Sequence, residues 1–256
     1  MASAFKCAIF DLDGVVTETA RLHSMAWKAM FDEFLKGWYQ AKGEPFREFT
    51  DEDYLLYVDG KPRYQGVKSF LDSRGVDLPM GDPEDTVDRE TCCGLGNRKN
   101  VNFQAIIETE GADVFPTSVA FIRELKERGI RVGVASSSKN TVLVLKKAHL
   151  EDLFETRVCG LVSAELGLKG KPDPDIFVVA AKQLGFEPVD SMMVEDAISG
   201  VTAGFRGKFG FVLGIARHIP ADELARVGAD RVVKDLGEIK VDEVFAWFDA
   251  GQNVKA

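Results

Sequence analysis

Two pairs of carboxylates directly follow short apolar runs of this sequence. Asp11 and Asp13 come after the first run, and Glu195 and Asp196 come after a later one. Carboxylate oxygens are ligands that Mg²⁺ takes in proteins, together with water and phosphate oxygens. The pattern therefore predicts a Mg²⁺ site built from Asp11, Asp13, Glu195 and Asp196.

Hydroxyl groups and a loop lysine follow two further apolar stretches. Ser136, Ser137 and Ser138 come after the run at residues 130–135 and open a helical pattern, an arrangement that presents backbone N–H groups to a phosphate. Lys171 stands in a loop stiffened by prolines, where it can hold a transferring phosphoryl group as a fixed cation. These types of residue favour phosphoryl transfer.

Each of these four signals also has an ordinary structural interpretation. An aspartate after a strand often caps a turn, a serine caps a helix, a loop lysine is solvated, and acids stabilise the first turn of a helix. All four signals nevertheless stand at strand-to-helix junctions of one alternating pattern, so their side chains should meet at one edge of the sheet. Chance is a poor explanation for such a convergence.

The elements that must position these residues alternate between strand and helix through the second half of the chain. The sequence predicts strands at residues 5–10, 130–135, 157–162, 191–194, 210–213 and 231–233. It predicts helices between them at residues 117–128, 140–148, 173–184, 198–205 and 221–227. The expected fold is α/β, a doubly wound, Rossmann-like parallel sheet.

Residues 21–109 show apolar residues at helical spacing and no strand periodicity. We therefore predict a mainly helical cap domain at residues 21–109, inserted after the first strand into a core domain of residues 1–20 and 110–256. The segment Gly94-Leu95-Gly96 lacks the third glycine and the setting of a dinucleotide site.

Composition narrows the range of partners. The 256 residues carry 32 Lys and Arg against 41 Asp and Glu, a formal charge of −9, which disfavours binding to nucleic acid or to an anionic membrane. Four cysteines in no metal-type spacing argue against a disulfide or zinc framework. Asp11 comes too early for a secretory signal to precede it, so we expect a cytoplasmic protein.

The four motifs, Asp11-x-Asp13, Ser136, Lys171 and Glu195-Asp196, occur in the order found in the haloacid dehalogenase superfamily, which the chain resembles over nearly its whole length. The resemblance implies a Mg²⁺-dependent enzyme in which Asp11 attacks phosphorus to give an aspartyl-phosphate. Asp13 then serves as general acid and base.

A closer similarity is to the β-phosphoglucomutase subfamily, through the segments at residues 10–20 and 135–140 and through His23. That subfamily interconverts β-glucose 1-phosphate and glucose 6-phosphate through β-glucose 1,6-bisphosphate. The resemblance implies Arg98 as the anchor of the second phosphate. It also implies a monomer that acts on a small sugar phosphate, with a cap that closes about hinges near residues 17–19 and 111–113 to exclude water.

Other contacts to the sugar or its phosphates follow from the same resemblance. With Ser136, Ser137 and Lys171 holding the transferring group, the further candidates are Ser138, Asn140, His23 and Thr19. The insert departs from the subfamily because residues 37–66 make it longer. Lys61 or Arg63 from this segment is a further candidate for the second phosphate, or a solvated turn residue.

Several activities are compatible with parts of this pattern. A phosphatase of a sugar phosphate or another small metabolite is the main alternative, since it differs only in whether water reaches the aspartyl-phosphate. A carbon–halogen hydrolase would not need Asp13 or the Glu195-Asp196 pair. A phosphate-accepting receiver module would not need the long insert, and a purely structural protein would gain nothing from clustered acids that repel one another.

Overall fold

A computed structural model describes residues 4–253 of the chain. Six strands are found within this range: β1 (Cys7–Phe10), β2 (Arg131–Ala135), β3 (Thr156–Val158), β4 (Ser191–Glu195), β5 (Phe211–Ile215) and β6 (Arg231–Val233). They form one parallel sheet in the order β3-β2-β1-β4-β5-β6. Every residue of β1 is buried, as its unbroken apolar run requires of a central parallel strand.

The order of the strands reverses next to β1. The chain proceeds from β1 outward to β2 and β3, then returns to the other side of β1 and proceeds outward through β4, β5 and β6. In open parallel sheets, ligands bind beyond the carboxyl ends of the strands at this point of reversal. The predicted doubly wound α/β core is confirmed, and its switch point lies between β1 and β4.

The segment between β1 and β2 forms a compact helical unit, residues 19–111. Its helices are α1 (Thr19–Lys42), α2 (Asp51–Asp53), α3 (Arg63–Ser73) and α4 (Cys92–Glu110), with a π-helix at Tyr54–Val58 between α2 and α3. The unit begins at Thr19 because α1 begins there, and it ends one residue after α4, at Gly111.

Aromatic side chains form the interior of the helical unit. Phe31 from α1 lies 4.3 Å from Phe70 of α3 and 4.9 Å from Phe49, measured between ring centroids. Phe49 and Phe70 also meet edge to face at 4.8 Å. Because Phe49 belongs to the long segment at residues 37–66, that segment is packed into the interior of this unit, although its sequence shows no regular periodicity.

The remaining helices belong to the unit that contains the sheet, which comprises residues 4–18 and 112–253 of the described range. They are α5 (Pro116–Glu127), α6 (Thr141–Lys147), α7 (Gly160–Glu165), α8 (Asp175–Gln183), α9 (Ile198–Arg206), α10 (Ala221–Arg226) and α11 (Val241–Asp249). α8 packs against β1, β2 and β3, whereas α9 packs against β4 and β5. The loop that carries Lys171 therefore ends at a helix held by the sheet, α8, and the loop that carries Glu195 and Asp196 ends at another, α9.

The third strand is shorter than the sequence predicts. A strand at residues 157–162 was expected, but β3 ends at Val158 and α7 begins at Gly160. The Gly160 N–H donates to the Ser138 carbonyl at 2.9 Å, and a Cβ atom at Gly160 would lie 2.6 Å from the Ser137 carbonyl oxygen. The chain leaves the sheet here because it packs against the serine loop after β2.

Two further observations concern the surface and the cysteines. Within residues 4–253, no helix is both long enough and apolar enough to span a membrane. All four cysteines are buried and carry free thiols. Free cysteines in a packed interior behave as small apolar residues.

Candidate active site

One lysine and two acidic side chains meet in the interior beyond the ends of β1 and β4. Lys171 Nζ lies 2.6 Å from Asp11 Oδ1 and 2.8 Å from Glu195 Oε2. All three side chains are at most 7% exposed. Charged groups are almost never buried to this degree unless they are paired. Removing the one cation from between two buried acids is strongly destabilising.

The sheet register brings these residues together. Phe10 of β1 is paired with Val194 of β4, so Asp11 and Glu195 follow at neighbouring positions of the same edge. The Asp11 N–H donates to the Val194 carbonyl at 3.0 Å, which extends the ladder to the aspartate itself. Lys171 comes from the loop before α8, and its Nζ also lies 4.9 Å from the Phe177 ring centroid.

The surroundings shift the pKa values of Asp11 and Lys171. Burial raises the pKa of Asp11 well above its ordinary value, Glu195 and Asp13 raise it further, and Lys171 opposes them. Burial alone would lower the pKa of Lys171, but the Asp11 and Glu195 carboxylates outweigh it and raise that pKa. Lys171 is therefore charged at neutral pH, and this one cation faces two acidic side chains.

A third carboxylate makes the cluster suitable for a divalent cation. Ligand oxygens of Asp11, Glu195 and Asp196 all lie within 4.8 Å of one another, and all three residues are buried. Three carboxyl groups and the one ammonium of Lys171 thus share a buried site, with more acidic groups than this single cation can pair. Hard oxygen donors that converge in this way fit Mg²⁺.

Gly14 allows the turn after Asp13 to approach Asp196 closely. Its φ is +87°, and a Cβ atom at this position would lie 2.0 Å from Asp196 Oδ2. Glycine adopts positive φ without the steric penalty that other residues have. A glycine is therefore required here both by the backbone conformation and by the carboxylate beside it.

We expect Gly14→Ala to weaken Mg²⁺ binding and to lower the rate constant of catalysis by roughly 100-fold, because a shift of about 1 Å at a reacting group has an effect of that size. Gly129→Ala is the matched control, since Gly129 has a φ of +80° but no atom within 4 Å of its Cβ position. Calorimetric Mg²⁺ titration of both variants checks this. Equal Mg²⁺ affinities in the two variants would contradict the role assigned to Gly14.

The second aspartate is held by the serine loop. Ser136 Oγ donates to Asp13 Oδ2 at 3.2 Å, and the same Ser136 oxygen accepts from the Ser138 N–H at 3.1 Å. The Ser138 hydroxyl in turn accepts from the Asn140 N–H at 3.1 Å. Ser137 lies in the same loop, and the amides of Ser138 and Asn140 are engaged by the loop's own hydroxyls.

The other predicted site residues lie in the helical unit. Thr19 is the first residue of α1 and His23 follows one turn later, both of them buried. The Arg98 Nε donates to the Val87 carbonyl at 2.8 Å, and its Nη1 lies 3.7 Å from Glu33 Oε1. Arg98 is thus held within its own unit, and a phosphate there would compete with Glu33.

A buried cation of the helical unit was not predicted. Lys99 is 3% exposed, its Nζ lies 2.7 Å from His23 Nδ1, and it is 4.9 Å from the ring centroids of Trp27 and Phe103. Because an ammonium only donates, His23 Nδ1 accepts in this pair. The signal in the sequence is helical spacing, since Lys99 stands on the buried stripe of α4 with Leu95 and Phe103.

The chain is similar to known proteins over most of its length. The family model of haloacid dehalogenase-like hydrolases matches residues 5–207. The chain is 45% identical over 238 residues to a protein of Mycobacterium bovis named β-phosphoglucomutase, with 91% of each chain covered. It is 31% identical over 238 residues to the β-phosphoglucomutase of Bacillus subtilis, covering 93% of this chain and 92% of that protein.

A solved structure shows the same fold. The β-phosphoglucomutase of Clostridium difficile superimposes with a TM-score of 0.76 at 23% identity, covering 96% of this chain and 98% of that one. The family model covers most of the chain, and the curated relatives are similar to it over more than nine tenths of its length. The chain belongs to the haloacid dehalogenase superfamily of enzymes, in its β-phosphoglucomutase-like subfamily.

Proposed function

We propose that this protein converts β-glucose 1-phosphate into glucose 6-phosphate through β-glucose 1,6-bisphosphate, by transferring a phosphoryl group to and from Asp11. The observation that carries the proposal is the buried Asp11 carboxylate, held 2.6 Å from Lys171 within a cluster of acids at the switch point of the sheet. The names of the mycobacterial and Bacillus relatives support the choice of reaction.

The residues present fit a magnesium ion. Asp11, Asp196 and the backbone carbonyl of Asp13 are its proposed ligands. Both oxygens of Glu195 already have partners, because Oε2 accepts from Lys171 and Oε1 accepts from the Ala197 N–H at 3.2 Å. We therefore assign Glu195 the role of orienting Lys171. When bound, Mg²⁺ would neutralise the negative charge of the phosphoryl oxygens.

Asp11 and Asp13 have different roles in the proposed chemical step. An oxygen of Asp11 forms a bond to phosphorus while the bond between phosphorus and the sugar oxygen breaks. Asp13 gives its proton to the departing sugar oxygen and later takes one from the hydroxyl that attacks the aspartyl-phosphate. The Ser136 hydroxyl, which donates to Asp13, fixes the direction of that carboxyl group.

Lys171 has a separate part in the proposed reaction. The transferring group passes through a charge-rich, loose transition state, so catalysis depends on positioning and countercharge. Lys171 keeps its proton at neutral pH because two carboxylates hold it. It is therefore available as a fixed cation for the phosphoryl oxygens.

Asp13→Asn should separate the two roles of the aspartates. Without a proton donor, turnover of β-glucose 1-phosphate is expected to fall by roughly 100- to 10,000-fold. Acetyl phosphate has a leaving group that needs no proton, so labelling of Asp11 by acetyl phosphate should persist. Quenched-flow measurement of both reactions checks this, and an equal loss of the two would contradict the acid–base role of Asp13.

Arg98 remains the proposed anchor of the second phosphate. Arg63 is the alternative within the same unit, where its Nη2 donates to Asn100 Oδ1 at 2.8 Å. Burial lowers the pKa of Arg63, although not enough to deprotonate a guanidinium at neutral pH. Either arginine can take a phosphate through two N–H groups at once.

The reaction is tested by following glucose 6-phosphate and free phosphate together. The protein is incubated with Mg²⁺, β-glucose 1-phosphate and a trace of β-glucose 1,6-bisphosphate. Glucose 6-phosphate without matching phosphate release is the expected result. Release of phosphate in proportion to the substrate consumed would identify a sugar-phosphate phosphatase and overturn the mutase proposal.

A further inference from the structure

Arg217 is a half-buried cation that the chemistry proposed above does not use. It follows β5 at the edge of the sheet that also carries Asp11 and Glu195, and its side chain is 15% exposed. Its Nε donates to the Gly14 carbonyl at 3.2 Å. Gly14 is the residue directly after Asp13, so Arg217 contacts the backbone of the turn that carries the proposed general acid.

Contacts other than the one with Gly14 hold the opposite end of the guanidinium. Nη1 donates to the Lys234 carbonyl at 3.0 Å and to Asp235 Oδ2 at 3.2 Å. The Phe115 ring centroid lies 3.7 Å from the central carbon of the guanidinium. Asp235 is itself held by the Thr117 hydroxyl at 2.9 Å. One planar group thus ties the Asp13–Gly14 turn to the loop after β6 and to the start of α5.

The turn needs a restraint of this kind. Glycine has the widest range of backbone conformations, so Gly14 does not by itself fix the direction of the peptide groups on either side of it. The Gly14 N–H donates to the Thr17 carbonyl at 2.8 Å, which holds one side of the residue. Arg217 holds the other side, through the carbonyl oxygen.

The hydrogen bonds of Arg217 do not by themselves explain why an arginine stands at this position. Its Nη2 is buried and makes no hydrogen bond within residues 4–253. A buried donor without an acceptor is unfavourable, and such groups in a folded protein call for an explanation. A role in the site, rather than in stability alone, supplies one.

We propose that Arg217 is a positioning residue, which sets the conformation of the Asp13–Gly14 turn and thereby the direction of the Asp13 carboxyl group and of the Asp13 backbone carbonyl. The proposal rests on the proposed function for its catalytic consequence. The structural part of the proposal, that Arg217 restrains the turn and so favours cation binding, does not depend on the proposed function. The lysine side chain cannot reproduce the contact, because one ammonium cannot donate from two ends of a planar fork.

Arg217→Lys and Arg217→Met test the proposal, with Arg226→Lys as the matched control at an exposed arginine paired with Asp222. Hydrogen exchange of the peptide covering residues 12–18 is measured by mass spectrometry without metal or substrate, and Mg²⁺ affinity is measured by calorimetry. Both Arg217 variants should exchange faster in this peptide, with β1 and β4 unchanged, and should bind Mg²⁺ more weakly. In the mutase assay, kcat should fall by roughly 10- to 100-fold at unchanged KM.

The outcomes separate the two proposals. Faster exchange and weaker Mg²⁺ binding in a protein whose wild type has no mutase activity would uphold the positioning role and overturn the proposed function. Wild-type exchange and Mg²⁺ affinity in both Arg217 variants would overturn the positioning role. Faster exchange throughout the sheet in Arg217→Lys would overturn it as well, because it would show a merely structural contribution.

Discussion

Asp11→Asn is expected to lower the rate of phosphoryl transfer by roughly 10⁴- to 10⁶-fold, the size of effect seen when a covalent nucleophile is removed. The amide has nearly the shape of the carboxyl group but cannot form an acyl phosphate. Steady-state rates with β-glucose 1-phosphate check this prediction. An Asp11→Asn variant with a rate within tenfold of wild type would exclude Asp11 as the group that accepts phosphorus.

The same substitution should not destabilise the metal-free protein. The surroundings raise the pKa of Asp11, which means that the folded state disfavours its charged form. A raised pKa in the folded state stabilises the fold at low pH, and this contribution is lost as the pH rises above the ordinary aspartate value of 3.8 toward the raised one. In EDTA at neutral pH, melting curves should show Asp11→Asn at least as stable as wild type.

Lys171→Met is expected to lower the free energy of unfolding of the metal-free protein by about 3–5 kcal/mol, because it leaves Asp11 and Glu195 buried without their cation. Mg²⁺ should restore part of this loss by supplying positive charge to the same cluster. Activity should fall by roughly 100- to 1,000-fold, as for other removed contacts to a developing charge. Urea unfolding with EDTA and with Mg²⁺ measures the stability change.

Lys169→Met is the matched control for that experiment. Lys169 precedes Lys171 by two positions in the same loop, but its side chain is exposed. Exposed charges contribute little to stability, so the control should unfold like wild type. If Lys171→Met were as stable as Lys169→Met in EDTA, the buried ion pairs would not hold the cluster together.

Much of the fold could be predicted because the relevant information is local. The alternation of short apolar runs with helical spacing indicates a parallel α/β sheet, and polar residues at the ends of those runs must then share one edge. Asp11, Lys171 and Glu195 illustrate this, since they are far apart in the sequence but are within hydrogen-bond distance in the structure. The structure also brings Ser136 to Asp13.

What could not be predicted depends on contacts between distant segments. The path of the chain at Gly160 depends on the serine loop, which no pattern near Gly160 reveals. Phe49 stands in a segment without periodicity, yet it packs with Phe31 and Phe70. Arg217 looks like an exposed residue after a strand, and only its contact with Gly14 gives it a place in the site.

In the proposed reaction, Asp11 carries the phosphoryl group between two positions of a sugar. The most direct measurement is mass spectrometry of the protein quenched within milliseconds of mixing with β-glucose 1,6-bisphosphate and Mg²⁺. We expect one phosphoryl group on the peptide that contains Asp11. It should be absent from Asp11→Asn and should be lost again when glucose 6-phosphate is added in excess. A phosphoryl group on any other residue, or turnover without a phosphorylated peptide, would contradict it.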